Sequence, residues 1–90
     1  MLPESRFTAA PDVNAKVLEA EAVLLNVKTG AYFSMNKVGT HIWELYGAGR
    51  SLSEVVAGVC ERFEVTPERA EADVRAFTAA LLERGLLQTA

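Results

Sequence analysis

Two hydrophobic periodicities divide the chain. From Asn14 to Met35 apolar residues fall in short alternating runs, and from Asn36 onward they recur at every third or fourth position. The first pattern predicts strands and the second amphipathic helices, because side chains return to one face every two residues in a strand and every ~3.6 in a helix. Asn14–Leu18 reads as a modest strand and Ala22–Val27 as a clear one, with a turn at Glu19-Ala20-Glu21. Lys28-Thr29-Gly30 then forms a hairpin tip into a third strand, Ala31–Met35, with Gly30 supplying the positive φ that a short bulged loop requires. In that strand Ala31, Phe33 and Met35 point one way and Tyr32 and Ser34 the other. Where such a strand ends its sheet, its outer backbone groups are free, and a small domain must either protect them or use them.

Helical signals begin at Asn36, an N-cap, followed by Val38, Ile42, Leu45 and Tyr46 on one face, with Gly47 as the stop. Ser51-Leu52-Ser53-Glu54 has the spacing of a capping box, and Leu52, Val55, Val56, Val59, Cys60 and Phe63 form a buried stripe behind it. Thr66 caps a third helix with Pro67 in its first turn, Ala70, Val74, Phe77 and Leu81 as its core face, and Gly85 as the C-cap before Leu86-Leu87. The predicted fold is α+β: a three-stranded antiparallel sheet followed by three helices, winged helix-turn-helix-like. Residues 1–90 read as one domain, with residues 1–12 an extended arm in which Arg6-Phe7-Thr8 can add a short strand.

Ninety residues suffice for one core but not for a cleft between two lobes. Half the residues are apolar and 23% charged, the balance of a globular protein rather than a disordered tail. The net charge of −3 weighs against nucleic acid, which calls for a basic face. No apolar run approaches the roughly 18–20 residues that span a bilayer, and Met1–Asp12 lacks the apolar segment of a secretory signal, so no membrane partner and a cytoplasmic address are expected. Cys60 is the only cysteine, which excludes an intrachain disulfide and suits a reducing compartment.

Candidate chemistry is sparse. His41 has no second histidine or cysteine at ligand spacing, Cys60 continues an apolar stripe, and Ser51 and Ser53 are accounted for by capping. Gly47-Ala48-Gly49-Arg50 lacks the spacing of a phosphate loop. No catalytic, metal or cofactor site is expected, and an enzyme is the least favoured class. Trp43 and Tyr46 read as core or boundary aromatics, whereas Tyr32, turned away from Phe33 and Met35, reads equally as an exposed anchor or as ordinary sheet packing.

Taken together, Leu24-Leu25-Asn26, Thr29-Gly30-Ala31-Tyr32-Phe33, Met35-Asn36 to Gly39, Ile42-Trp43, Ser51-Leu52-Ser53-Glu54, Asp73-Val74 with Phe77, and Leu81 to Gly85-Leu86-Leu87 resemble the PqqD-like family, the precursor-peptide recognition elements of ribosomally made, post-translationally modified peptides (RiPPs). The resemblance runs from about Val17 to Leu87. The hairpin looks closer to stand-alone recognition proteins of lasso-peptide or related clusters than to members that serve PQQ. It implies a non-catalytic, cofactor-free domain that holds a precursor's leader segment as an added strand and delivers it to a modifying enzyme. Carried onto this sequence, the strand is Ala31, Tyr32, Phe33, Ser34 and Met35, and the opposing helix wall is Arg69, Asp73, Ala76, Phe77, Ala80 and Arg84. On that wall alanines would admit an extended peptide, and Asp73 or Arg84 could fix its register.

Two other classes compete. A winged helix suggests DNA binding, but the would-be recognition helix carries Glu68, Glu71, Asp73 and Glu83 against Arg69, Arg75 and Arg84, so it is not basic. The same open edge could instead pair with its own copy in a homodimer.

Overall fold

The computed structural model describes residues 1–19 and 21–90. Among them the element order is β1 (Phe7–Ala9), β2 (Val13–Leu18), β3 (Glu21–Asn26), β4 (Tyr32–Met35), α1 (Lys37–Gly47), α2 (Leu52–Arg62), α3 (Pro67–Glu83) and β5 (Leu87–Thr89). β2, β3 and β4 form an antiparallel meander with β3 in the middle. Of the expected turn Glu19-Ala20-Glu21, Ala20 lies outside the described residues; Glu19 has a φ of 60°, and Leu18 pairs with Glu21.

Burial alternates along β3: Ala22, Leu24 and Asn26 are buried while Glu21, Val23 and Leu25 are exposed. The helices therefore cover one face of the sheet and leave the other open, as the period of two requires. The core beneath that face joins Leu24 and Met35 to Ile42 and Tyr46 of α1, Val55 and Val59 of α2, and Ala70, Val74 and Leu81 of α3.

Residues 1–12 are not an arm throughout. Phe7 is buried and meets the Tyr46 ring edge-on at 5.3 Å, and β1 pairs antiparallel with β5, Thr8 opposite Gln88. Ahead of it the Ser5 and Pro3 carbonyls accept from the Leu52 and Ser53 amides at 2.8 and 2.9 Å, satisfying donors that the first turn of α2 would otherwise leave free.

The helix boundaries follow local chemistry. The Asn36 side chain accepts from the Gly39 amide at 2.9 Å, and Thr66 caps α3 with Pro67 in the first turn. α1 ends at Gly47, as expected, with Ala48 as its cap; the left-handed residue that turns the chain away is Gly49, at φ 85°, because that conformation is needed after the cap and not within the last turn. In the capping box of α2 the Glu54 carboxylate accepts from the Ser51 amide at 2.9 Å, and the Ser51 hydroxyl accepts from the Glu54 amide at 3.3 Å. The hydrogen bond from the Ser51 amide, more than the nearby Arg50 and Arg6 charges, holds the Glu54 carboxyl below its ordinary range.

One core assignment shifts by a single residue. The buried line of α3 is Ala70, Val74, Thr78 and Leu81, while Phe77 is only half-buried. Thr78 is tolerated at depth because its hydroxyl donates to the Val74 carbonyl at 2.7 Å and lies 2.7 Å from the Tyr46 hydroxyl. A threonine hydroxyl has one proton, so Tyr46 is the donor of that second bond. Burial pushes the Tyr46 phenol above its ordinary value, and the Thr78 bond offsets part of that shift.

Two predictions follow from these contacts. Thr78→Val strands a buried phenol donor and is expected to cost about 1–3 kcal/mol, more than Tyr46→Phe, which leaves the Val74 bond intact; denaturant unfolding of the two single variants and the double variant checks the order. A carboxyl whose folded-state pKa is depressed contributes stability above its unfolded pKa and loses it as pH falls through the folded value. Glu54→Gln is therefore expected to flatten the acid limb of a melting-temperature profile, and an unchanged limb would show that the cap carries no pH dependence.

Candidate functional site

Hydrogen-bond alternation decides which backbone groups β4 leaves free. Asn26 donates its amide to the Ala31 carbonyl at 2.8 Å, and Gly30, at φ 80°, donates to the Asn26 carbonyl at 2.8 Å, so the hairpin closes on a bonded pair through a glycine bulge. Bonded and non-bonded pairs alternate in an antiparallel ladder. With Leu25 opposite Tyr32, Leu24 opposite Phe33, Val23 opposite Ser34 and Ala22 opposite Met35, the amides and carbonyls of Phe33 and Met35 turn toward β3. Those of Tyr32 and Ser34 turn outward, at a free edge.

Side chains on β4 divide as the alternation predicts. Met35 is buried, so its side chain belongs to the core rather than to the edge; Phe33 and Ala31 are half-buried on the same face, and Tyr32 and Ser34 are exposed on the other. Tyr32 is 66% exposed, so it is no ordinary packed sheet residue. It continues an apolar strip on the uncovered face with Leu25 and Val23.

Facing the edge is α3. Phe77 meets Phe33 edge-to-face at 5.9 Å, and the Arg84 guanidinium lies over the Phe33 ring at 5.1 Å. These contacts bring Phe33, Phe77 and Arg84 together beside the free edge. Gly39 permits the approach: a β-carbon there would sit 2.9 Å from Phe77 Cε1 and 3.3 Å from Met35 Cβ. Toward the other end of α3, a cleft of about 550 Å³ is lined by Val38, Val59, Phe63, Val65, Arg69 and Asp73.

The remaining wall residues are less uniform. Ala80 is half-buried and Ala76 exposed, so the small-residue flank is open to an incoming chain. Arg69 Nε lies 3.2 Å from both Asp73 carboxylate oxygens, which places these two residues on each other. Of the two charges expected to fix a ligand's register, Asp73 is thus already paired, whereas Arg84 has no ion pair among the described residues.

Sequence reasoning missed Asn26. Its buried side chain accepts from the Lys28 and Thr29 amides at 2.9 and 3.1 Å and donates to the Gly85 carbonyl at 3.3 Å, tying the hairpin turn to the C-terminal end of α3. The local signal was an asparagine just before Lys28-Thr29-Gly30, the position from which Asn side chains bond backbone amides two residues on.

Elsewhere, His41 packs edge-on against Phe63 at 5.9 Å, and Cys60 is half-buried with a free thiol. No three of His, Cys, Asp and Glu converge among the described residues, and no helix among them is long and apolar enough to cross a membrane.

Residues 21–87 match the family described as coenzyme PQQ synthesis protein D (PqqD). The chain belongs to the PqqD family. Comparison with curated proteins finds no match. Two solved structures share the PqqD-type fold described above. TbiB1 in complex with the TbiA(beta) leader peptide is 33% identical, with a TM-score of 0.84 over 90% of this chain and 94% of that one. Lasso peptide synthetase B1 complexed with the leader peptide is 25% identical, with a TM-score of 0.84 over 92% of this chain and 98% of that one.

The close approach at Gly39 is directly testable. Gly39→Ala is expected to push the Phe77 ring from its seat and to cost about 1–3 kcal/mol. Gly47→Ala, where an added β-carbon meets nothing within 4 Å, should be neutral or slightly stabilising. Thermal unfolding of both variants checks the contrast.

Proposed function

We propose that this chain is a non-catalytic adaptor that binds the leader segment of a ribosomally made precursor peptide and presents it to a modifying enzyme in RiPP biosynthesis. The observation that carries the reading is the outward-facing backbone of Tyr32 and Ser34 beside the Phe33–Phe77 floor. An extended segment added there gains backbone hydrogen bonds from the edge and side-chain selection from the groove. The two solved relatives, each bound to a leader peptide, support it.

In this reading Ala31, Tyr32, Phe33 and Ser34 supply the strand, with the Met35 side chain beneath it as support. Ala76, Phe77, Ala80 and Arg84 supply the helix wall, and the Arg69–Asp73 pair borders its far end. Residues 1–90 act as one recognition domain, working in the cytoplasm, where the lone thiol stays reduced. Two copies would pair through this same edge, so self-association competes with peptide capture. The acidic residues along α3, Glu68, Glu71 and Glu83 among them, are exposed and oppose DNA phosphates.

Ser34→Pro separates the edge mechanism from a general loss of fold. The Ser34 amide is not part of the β3 ladder, so proline at this edge position removes a donor for the ligand without breaking the sheet. Titration calorimetry with the leader of a short precursor encoded beside this chain should show Ser34→Pro binding at least about tenfold more weakly than Ser34→Ala, with both circular dichroism spectra native. Equal affinities would exclude pairing on β4.

A further inference from the structure

Beside the free edge stands a charge, Arg84, that makes no ion pair among the described residues. Arg84 caps α3, its amide donating to the Ala80 and Leu82 carbonyls, and the guanidinium extends over Phe33 rather than to an acid. Its position is built. Gly85 follows at φ 72°, and the Gly85 carbonyl is held by the Asn26 side chain, so the residue bearing the guanidinium is fixed relative to the hairpin whose strand it overlooks.

Near the C-terminal end of α3 the Ala80 carbonyl accepts from the Arg84 amide, Leu81 from Leu86 and Leu82 from Gly85, and just beyond the helix Gly85 accepts from Asn26. Arg84 is the positive group that stands at this negative end of the helix. The neighbouring Glu83 is exposed and makes no ion pair with Arg84 among the described residues, and Asp73 is engaged by Arg69.

A strand added antiparallel to β4 would bond to Tyr32 and Ser34, so its residue between those two bonds would lie across from Phe33 as a non-bonded pair, the kind whose side chains approach most closely. That residue points to the inner face, beside Phe33 and under Arg84. We propose that Arg84 is a specificity residue that reads a carboxylate at this position, so that the preferred ligand is an extended peptide with Asp or Glu at the residue facing Phe33. This rests on the peptide-binding reading above. An arginine fork can bind a carboxylate through two parallel hydrogen bonds while remaining stacked on an aromatic ring.

The probe is a displayed library of random dodecapeptides, selected in parallel against the full chain as wild type, Arg84→Glu, Arg84→Lys and Ser34→Pro. Wild type should enrich Asp or Glu at one position, Arg84→Lys should weaken that preference without inverting it, and Arg84→Glu should replace it with Lys or Arg while the apolar positions of the consensus stay unchanged. Individual acidic peptides from the wild-type pool should bind Arg84→Glu about tenfold or more weakly. A wild-type consensus without an acid, or an acidic preference that survives in Arg84→Glu, overturns the assignment of Arg84 while leaving peptide capture standing. Absence of any enriched peptide, or a consensus retained in full by Ser34→Pro, overturns the edge-binding reading and this inference with it.

Discussion

Everything in this fold depends on covering one face of a three-stranded sheet and only one. Leu24, at the centre of the middle strand, is fully buried, and α1 and the helices behind it pack over that face. Because β3 has neighbours on both sides, burial of its inner residues fixes the register of both hairpins; a slip of one residue would carry Ala22 and Leu24 to solvent and Val23 and Leu25 into the core. The register in turn determines that Tyr32 and Ser34, rather than Phe33 and Met35, present their backbone at the free edge. The groove is thus a consequence of how the core is filled.

Much of this was legible in the sequence because the signals are local. Gly30 at the hairpin, Asn36, Ser51 with Glu54, and Thr66 with Pro67 each satisfy a backbone requirement within a few residues and take the expected role, while Gly85, expected as the cap of α3, stands one residue beyond the cap Arg84 at φ 72°. The alternation in Ala31–Met35 correctly divided its side chains between two faces. The β1–β5 pairing was not legible in full: a short strand at Phe7 was foreseen, but its partner Leu87–Thr89 lies at the other end of the chain, and three residues carry too little periodicity to identify it. The line on α3 failed at Phe77 for another reason. Helical phase alone does not choose between adjacent residues, and hydrophobicity favoured the phenylalanine, whereas the core accepted Thr78 because Tyr46 and the Val74 carbonyl satisfy its hydroxyl.

The site was legible as a pair of segments but not as a charge arrangement. Arg69 and Asp73 stand four residues apart on one helix, a spacing that favours an ion pair, and the structure makes that pair. Arg84 differs because it sits at a helix end, over an aromatic ring from a strand distant in sequence. The role of Asn26 emerges only when the hairpin turn and the α3 terminus are seen together, since its amide donor serves a carbonyl 59 residues away. Long-range tethers of this kind leave little local trace, yet they set how two walls of a groove face each other.

The shortness of β4 limits what an added strand can gain from it. Two outward residues offer two amides and two carbonyls, and at about 0.5–1.5 kcal/mol net per hydrogen bond the ladder contributes on the order of 2–6 kcal/mol. Micromolar binding requires about 8 kcal/mol after the losses of association are met. Backbone pairing alone would therefore leave any passing extended segment only weakly held, and on the proposed reading retention would fall to side chains seated against Phe33 and Phe77. A long edge would bind indiscriminately; an edge of four residues leaves discrimination to the groove.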